Sequence, residues 1–125
     1  MENTQPNEPR RGQAAGTWWL VQAISGLLLI LVLGLHMIAQ HFLVEGGLRE
    51  FADVIAYVSN PLIFAIEIVF LVVVTTHAML GVRAICLDLG LSERGERAVN
   101  WVAALVGIAA VGYGIWLAIS IQSLA

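Results

Sequence analysis

The feature that most constrains this chain is an uncharged run of 27 residues from Trp18 to Val44, counting its two histidines as neutral. A helix rises about 1.5 Å per residue, so roughly 20 apolar residues cross the hydrocarbon core of a bilayer and this run is long enough to do so with some tilt. Two further runs have the same character. One spans residues 61–87, interrupted by Glu67, His77 and Arg83, and the other spans residues 98–121, with Trp101 and Trp116 towards its two ends. Backbone polar groups in lipid must be satisfied inside their own segment, which makes such runs helices. The predicted fold class is an all-α membrane protein of three transmembrane helices. Composition agrees, because 59% of the chain is hydrophobic and only 12% charged, far from soluble usage.

The segments between these runs complete the layout. Residues 1–16 are polar with two prolines and are predicted to form a short disordered tail ahead of an uncleaved first helix, whose apolar run is too long for a signal-peptide core. After the break at Glu45-Gly46-Gly47, residues 48–59 put Leu48, Phe51, Ile55 and Val58 at helical spacing opposite Arg49, Glu50 and Asp53. That pattern predicts a short amphipathic helix lying at the interface. Asn60-Pro61 is an N-cap followed by proline at the first helical position, and residues 88–96 form a polar turn containing Gly90 and Gly95. The whole of residues 17–125 is expected to be one membrane domain.

Charge placement orients the chain and excludes some functions. Its net charge is −3, with six arginines and no lysine, so no basic surface for nucleic acid exists. Arg10, Arg11, Arg94 and Arg97 flank the tail and the second loop, Arg83 lies near the same end, and the first loop carries only Arg49. The positive-inside rule then predicts a cytoplasmic N-terminus, an outer C-terminus and residence in the cytoplasmic membrane. The single cysteine, Cys86, can neither close an internal disulfide nor hold an iron–sulfur cluster. On the third helix, Ala103, Gly107, Ala110 and Gly114 form a small-residue stripe suited to close packing against a partner subunit.

The intramembrane histidines carry the chemistry. Gly81, Ala84 and Asp88 follow His77 at steps of four, three and four, on one helical face. A haem needs an imidazole nitrogen aimed at iron and neighbouring backbone cleared for the macrocycle, which His77 and Gly81 would supply. An interhelical hydrogen bond is the alternative use of such a histidine. His36 and His41, five residues apart, diverge by about 140° and cannot both face one iron. At about 1.5 Å per residue, His36 lies some 27 Å beyond Trp18 while His77 lies about 16 Å from Asp88. A depth difference of about 10 Å assigns each to its own haem, with the other axial ligand supplied by a partner chain. His41, nearer the outer interface, is expected to be solvated or to contact a propionate, and is the alternative ligand. Arg83 can reach lipid phosphates, haem propionates or a soluble subunit. Glu67, two turns into its helix, must be protonated, paired or facing a polar cavity. Trp18 and Trp19 serve as an interfacial anchor or as a wall of a quinone site. Met37 is read as packing, and Tyr57 and Tyr113 carry no assignment.

The segment Trp18-Trp19-Leu20-Val21-Gln22-Ala23-Ile24-Ser25-Gly26, followed by Leu35-His36-Met37, resembles the first helix of the membrane-anchor subunits of succinate dehydrogenase and fumarate reductase. His77-Ala78-Met79-Leu80-Gly81-Val82-Arg83, with Asp88 eleven residues after the histidine, resembles their haem-binding second helix. The resemblance spans residues 17 to about 117. It implies a small subunit that shares b-type haem with a cytochrome b-like partner and anchors an iron–sulfur subunit and a flavoprotein, and it admits a trimeric complex. Electrons would pass between succinate and a membrane quinone. The match of His77 implies a haem near the cytoplasm, that of His36 a second haem nearer the outside, and Asp88 an acid near the quinone pocket. Two departures stand out. Leu89 occupies the place where a tyrosine commonly follows that acid, and Gln22 and Ala23 stand where many relatives have an arginine. Three other readings of the residues remain: a haem subunit of a different respiratory oxidoreductase, a haem-free proton-coupled transporter or channel using Glu67 and His77 as a relay, and a haem-free anchor in which the histidines only hydrogen-bond.

Overall fold

The structure is a computed structural model that describes residues 9–43, 46 and 50–124, with side chains from residue 16 onward. Four helices follow one another: α1 (Pro9–Phe42), α2 (Phe51–Ser59), α3 (Pro61–Leu87) and α4 (Glu93–Gln122). Among the described residues there is no strand. Three of the helices are long and apolar enough to cross a membrane: α1 over Gly16–Phe42, all of α3, and α4.

Local chemistry sets the ends of these helices. Asn60 accepts hydrogen bonds from the backbone of Leu62 (3.0 Å) and Ile63 (3.3 Å) ahead of Pro61, so α3 begins where the sequence predicts. At α2, Glu50 and Asp53 form a reciprocal capping box, with Asp53 accepting from the Glu50 amide at 3.0 Å; residues 47–49, including the predicted start at Leu48, lie outside the described residues. The polar turn is shorter than expected. Ser92 caps α4 by accepting from Gly95, and Glu93 and Glu96 complement the dipole of the first turn, so the helix starts at Glu93 rather than at Ala98. Gly90 supplies the left-handed residue of the turn, with φ 69°.

The expected tail is helical from Pro9, because proline is favoured at a first helical position as well as in irregular chain. Residues 1–8 of that tail, and the predicted end of the first span at Val44, lie outside the described residues.

α3 is the central element, packed on α1 along one side and on α4 along the other, while α2 crosses near the ends of α3 and α4. Gln122 at the end of α4 donates to the carbonyl of Val58 in α2 at 3.4 Å. Among the described residues no side chain is fully enclosed, and the buried apolar set is Val32, Ala39, Tyr57 and Ile63. The chain exposes 9383 Å², against about 6,500 Å² for a soluble globule of its mass. Large apolar side chains such as Leu27, Ile30, Trp101 and Ile108 are exposed, which suits a surface covered by lipid and other subunits.

The small-residue stripe of α4 is used inside the chain as well. A Cβ on Gly107 would lie 3.2 Å from Met79, and one on Gly114 only 2.6 Å from Leu71, both on α3, while Ala110 is exposed. The expectation of packing against a partner is thus corrected for these glycines, which set the α3–α4 approach. Gly114→Leu is expected to cost about 1–3 kcal/mol through overpacking, read as a lower thermal midpoint of the purified protein. An unchanged midpoint would mean that Leu71 swings clear without loss.

Candidate functional site

The α1–α3 interface holds two polar levels. At the first, His77 of α3 faces Ser25 and Gly26 of α1, with Nδ1 3.1 Å from the Ser25 hydroxyl. Ser25 Oγ already donates its one proton to the carbonyl of Gln22 at 3.0 Å, so towards His77 it can only accept. The network therefore assigns the proton to Nδ1 and leaves Nε2 with its lone pair. Gly26 makes the ring's place possible, because a Cβ there would stand 3.0 Å from His77 Cε1.

Gly81, which the sequence offers as clearance for a macrocycle, faces α1: its added Cβ would meet Gln22 Nε2 at 3.4 Å. The amide of Gln22 takes that space, and its Oε1 is buried without a partner. This level therefore pairs an unsatisfied buried acceptor with a histidine hydrogen-bonded through Nδ1.

The second level joins three helices. His36 of α1 lies with Nδ1 2.7 Å from both carboxylate oxygens of Glu67 on α3, and its ring stacks on Phe70 at 4.6 Å between centroids. Tyr57 of α2 donates to Glu67 Oε1 at 2.5 Å. Burial first, then the hydrogen bond to Glu67 and its charge, hold the Tyr57 phenol above its ordinary range, so it stays a donor. Glu67 thus meets its intramembrane cost by pairing, one of the three alternatives its position allowed.

The two levels are farther apart than sequence arithmetic gave. Ser25 stands beside His77 and His36 follows eleven residues later on α1, a separation of about 16 Å. The difference is one of register, since the sequence expectation sets Trp18 level with Asp88. In the structure Trp18 lies against Arg83, whose guanidinium sits 5.3 Å from the indole centroid, five residues before Asp88.

The remaining predicted residues scatter around these levels. His41 is exposed in the last turn of α1, away from the His36–Glu67 pair. Arg83 donates through Nε to Asn100 of α4 at 2.5 Å as well as covering Trp18. With Thr76, Ala103 and Gly107 these three line a groove of about 730 Å³ between α3 and α4. Asp88 is the exposed C-cap of α3, and Trp19 is 71% exposed on the outside of α1. His77, Gly81, Gln22 and Ser25 come together; Trp19 and His41 do not join them.

Sequence reasoning missed Ser25, Gly26, Tyr57 and Asn100. A small polar pair, Ser25-Gly26, inside a run of large apolar residues was a readable sign of a close approach. Tyr57 was not readable, because its partner Glu67 lies on the next helix.

Fold and site define a polytopic helical membrane protein with two intramembrane histidines, each tied by Nδ1 to an acceptor of its own chain. The model of the succinate dehydrogenase/fumarate reductase transmembrane subunit family matches residues 1–115. The chain is 37% identical over 103 residues to a succinate dehydrogenase hydrophobic membrane anchor subunit of Archaeoglobus fulgidus, covering 82% of this chain and 87% of that protein. A protein of the same description from Thermoplasma acidophilum is 29% identical over 98 residues, covering 78% of this chain and 80% of its own. No solved structure matches. The chain belongs to the succinate dehydrogenase/fumarate reductase transmembrane subunit family.

Proposed function

We propose that this chain is the anchor subunit of a succinate:quinone oxidoreductase and that it shares b-type haem with a cytochrome b-like partner. In this reading it sits in the cytoplasmic membrane with its N-terminus inside, beneath an iron–sulfur subunit and a flavoprotein. The observation that carries it is the hydrogen bond of His77 Nδ1 to Ser25, which leaves Nε2 unprotonated as a metal ligand requires. Haem, when bound, supplies a one-electron carrier between the iron–sulfur subunit and quinone.

The chain's own residues hold and tune. His77 would ligate the iron nearer the cytoplasm and His36 that of a second haem nearer the outside. The residues fit such a role one histidine at a time. Among the described residues no three His, Cys, Asp or Glu side chains gather into a cage for a bare ion, and an axial ligand needs only one imidazole with a free nitrogen. Arg83, with its remaining guanidinium donors, suits a propionate, and Asp88 stands at the cytoplasmic end where quinone chemistry would occur.

The test is a reduced-minus-oxidised spectrum of the complex purified through this subunit, with haem counted per flavin. Two haems per flavin are expected. A preparation without a Soret band would overturn the haem reading and make this a haem-free anchor in which the histidines only hydrogen-bond. His36→Ala is expected to remove the outer haem alone, and His41→Ala to leave both, since His41 is exposed and outside the polar level. One haem per flavin, indifferent to His36, would make this a one-haem anchor. Loss on changing His41 and not His36 would reverse the assignment.

A further inference from the structure

We propose that Glu67 is a positioning residue for His36, holding its imidazole by Nδ1–H and setting the electron density that Nε2 offers to a bound iron, with Tyr57 moderating the carboxylate's charge. The inference rests on the reading of His36 as a haem ligand and adds to it two residues that no resemblance pointed to.

The geometry differs between the two histidines in a way that matters chemically. His77 donates to a neutral hydroxyl, Ser25. His36 lies 2.7 Å from both oxygens of a carboxyl group, against 3.1 Å to a single hydroxyl for His77, and a carboxyl acceptor makes the stronger hydrogen bond. A carboxylate drawing on Nδ1–H pushes the ring towards imidazolate and raises the basicity of the opposite nitrogen, the usual action of an outer-shell acid on a ligating histidine. Such a ligand favours ferric over ferrous iron and so lowers the reduction potential.

Orientation follows from the same contacts. Phe70 stacks on one face of the ring and Glu67 grips one edge, so the imidazole is held against rotation about both of its side-chain torsions. Tyr57 completes the arrangement. Its hydroxyl takes part of the charge on Oε1, and because Tyr57 is 5% exposed water does not replace that donor easily. The carboxylate is therefore shared between a phenol of α2 and an imidazole of α1, and removing either donor leaves more charge for the other.

That sharing makes the test one of sign. In the whole complex, potentiometric titration of the outer haem is compared for wild type, Glu67→Gln and Tyr57→Phe. Glu67→Gln keeps the length and an acceptor oxygen but not the charge, so the haem stays bound and its potential rises. A tenfold weaker preference for ferric iron corresponds to about 59 mV for a one-electron couple. Tyr57→Phe leaves more of the charge to His36, and the potential falls. Glu67→Ala removes the grip itself, and haem retention through detergent washing is expected to drop about 10- to 100-fold.

A carboxylate that only ties helices together would move both potentials in the same direction or not at all. Either result, in a protein whose His36→Ala variant does lose the outer haem, overturns the proposal while leaving the ligand assignment intact. If His36→Ala retains both haems, the ligand reading itself fails and this inference falls with it. Should Glu67→Gln fail to assemble, Tyr57→Phe still decides, since a fall in potential supports the proposal and an unchanged value refutes it.

Discussion

Replacing His77 by alanine is expected to abolish the haem nearer the cytoplasm while leaving the subunit inserted and assembled. The helix does not depend on that side chain, because every backbone bond of a membrane span is made within the helix. Losing the His77–Ser25 hydrogen bond costs only about 0.5–1.5 kcal/mol, too little to dismantle the three spans. The measurement is the reduced-minus-oxidised spectrum of the variant complex with haem counted per flavin, and half of the wild-type haem should be absent. A spectrum with full haem content would remove His77 from the ligand set and leave Ser25–His77 as an interhelical tie of the kind that glues membrane helices. Ser25→Ala sharpens the comparison, since it removes the acceptor and leaves the ligand, so haem should bind with a shifted potential rather than disappear.

The long elements were legible for a plain reason. A span needs about 20 apolar residues and nothing else, so α3 was read over residues 61–87 as it stands in the structure, with Asn60 and Pro61 announcing its start. The ends of α1 and α4 were less legible, because Pro9 and the Ser92–Gly95 cap lie in polar sequence that reads equally well as turn. The site was half legible. Histidines inside apolar runs advertise themselves by their cost, and the step of four from His77 leads to Gly81, which lies against Gln22 of α1. What lies opposite that face was not in the pattern. Periodicity assigns a residue to a side of its own helix and is silent about the register of the neighbour, which here sets Gln22 and Ser25 against Gly81 and His77 and pairs Glu67 with His36.

That register explains two other features. α1 and α3 run antiparallel, so partners advance on one as they retreat on the other, and two polar contacts eleven residues apart on α1 meet groups ten residues apart on α3. The chain thus carries two separate polar levels, about 16 Å apart, each holding one imidazole by its Nδ1.

The second large effect is expected at a residue with no functional group. Gly26→Leu should remove the same haem as His77→Ala, although it changes neither the ligand nor its hydrogen-bond acceptor. Even a methyl at Gly26 would stand 3.0 Å from His77 Cε1, closer than real side chains settle, so the ring must give by a few tenths of an ångström. Alanine is expected to weaken haem retention and leave part of it bound. Leucine cannot be met by so small a shift. Its branched end needs the volume the imidazole occupies, and overpacking of this kind costs about 1–3 kcal/mol when the neighbours yield. The neighbour that yields is His77, since Ser25 and Gln22 are fixed on the same helix as the substitution. With the ring displaced, Nδ1 leaves Ser25 and Nε2 no longer points where the wild-type network aims it. Haem per flavin across the series Gly, Ala, Leu should fall in steps while the amount of assembled complex stays near wild type. A leucine variant with full haem would show that His77 turns away from α1 when iron is bound, and that the Ser25 contact belongs to the haem-free chain alone.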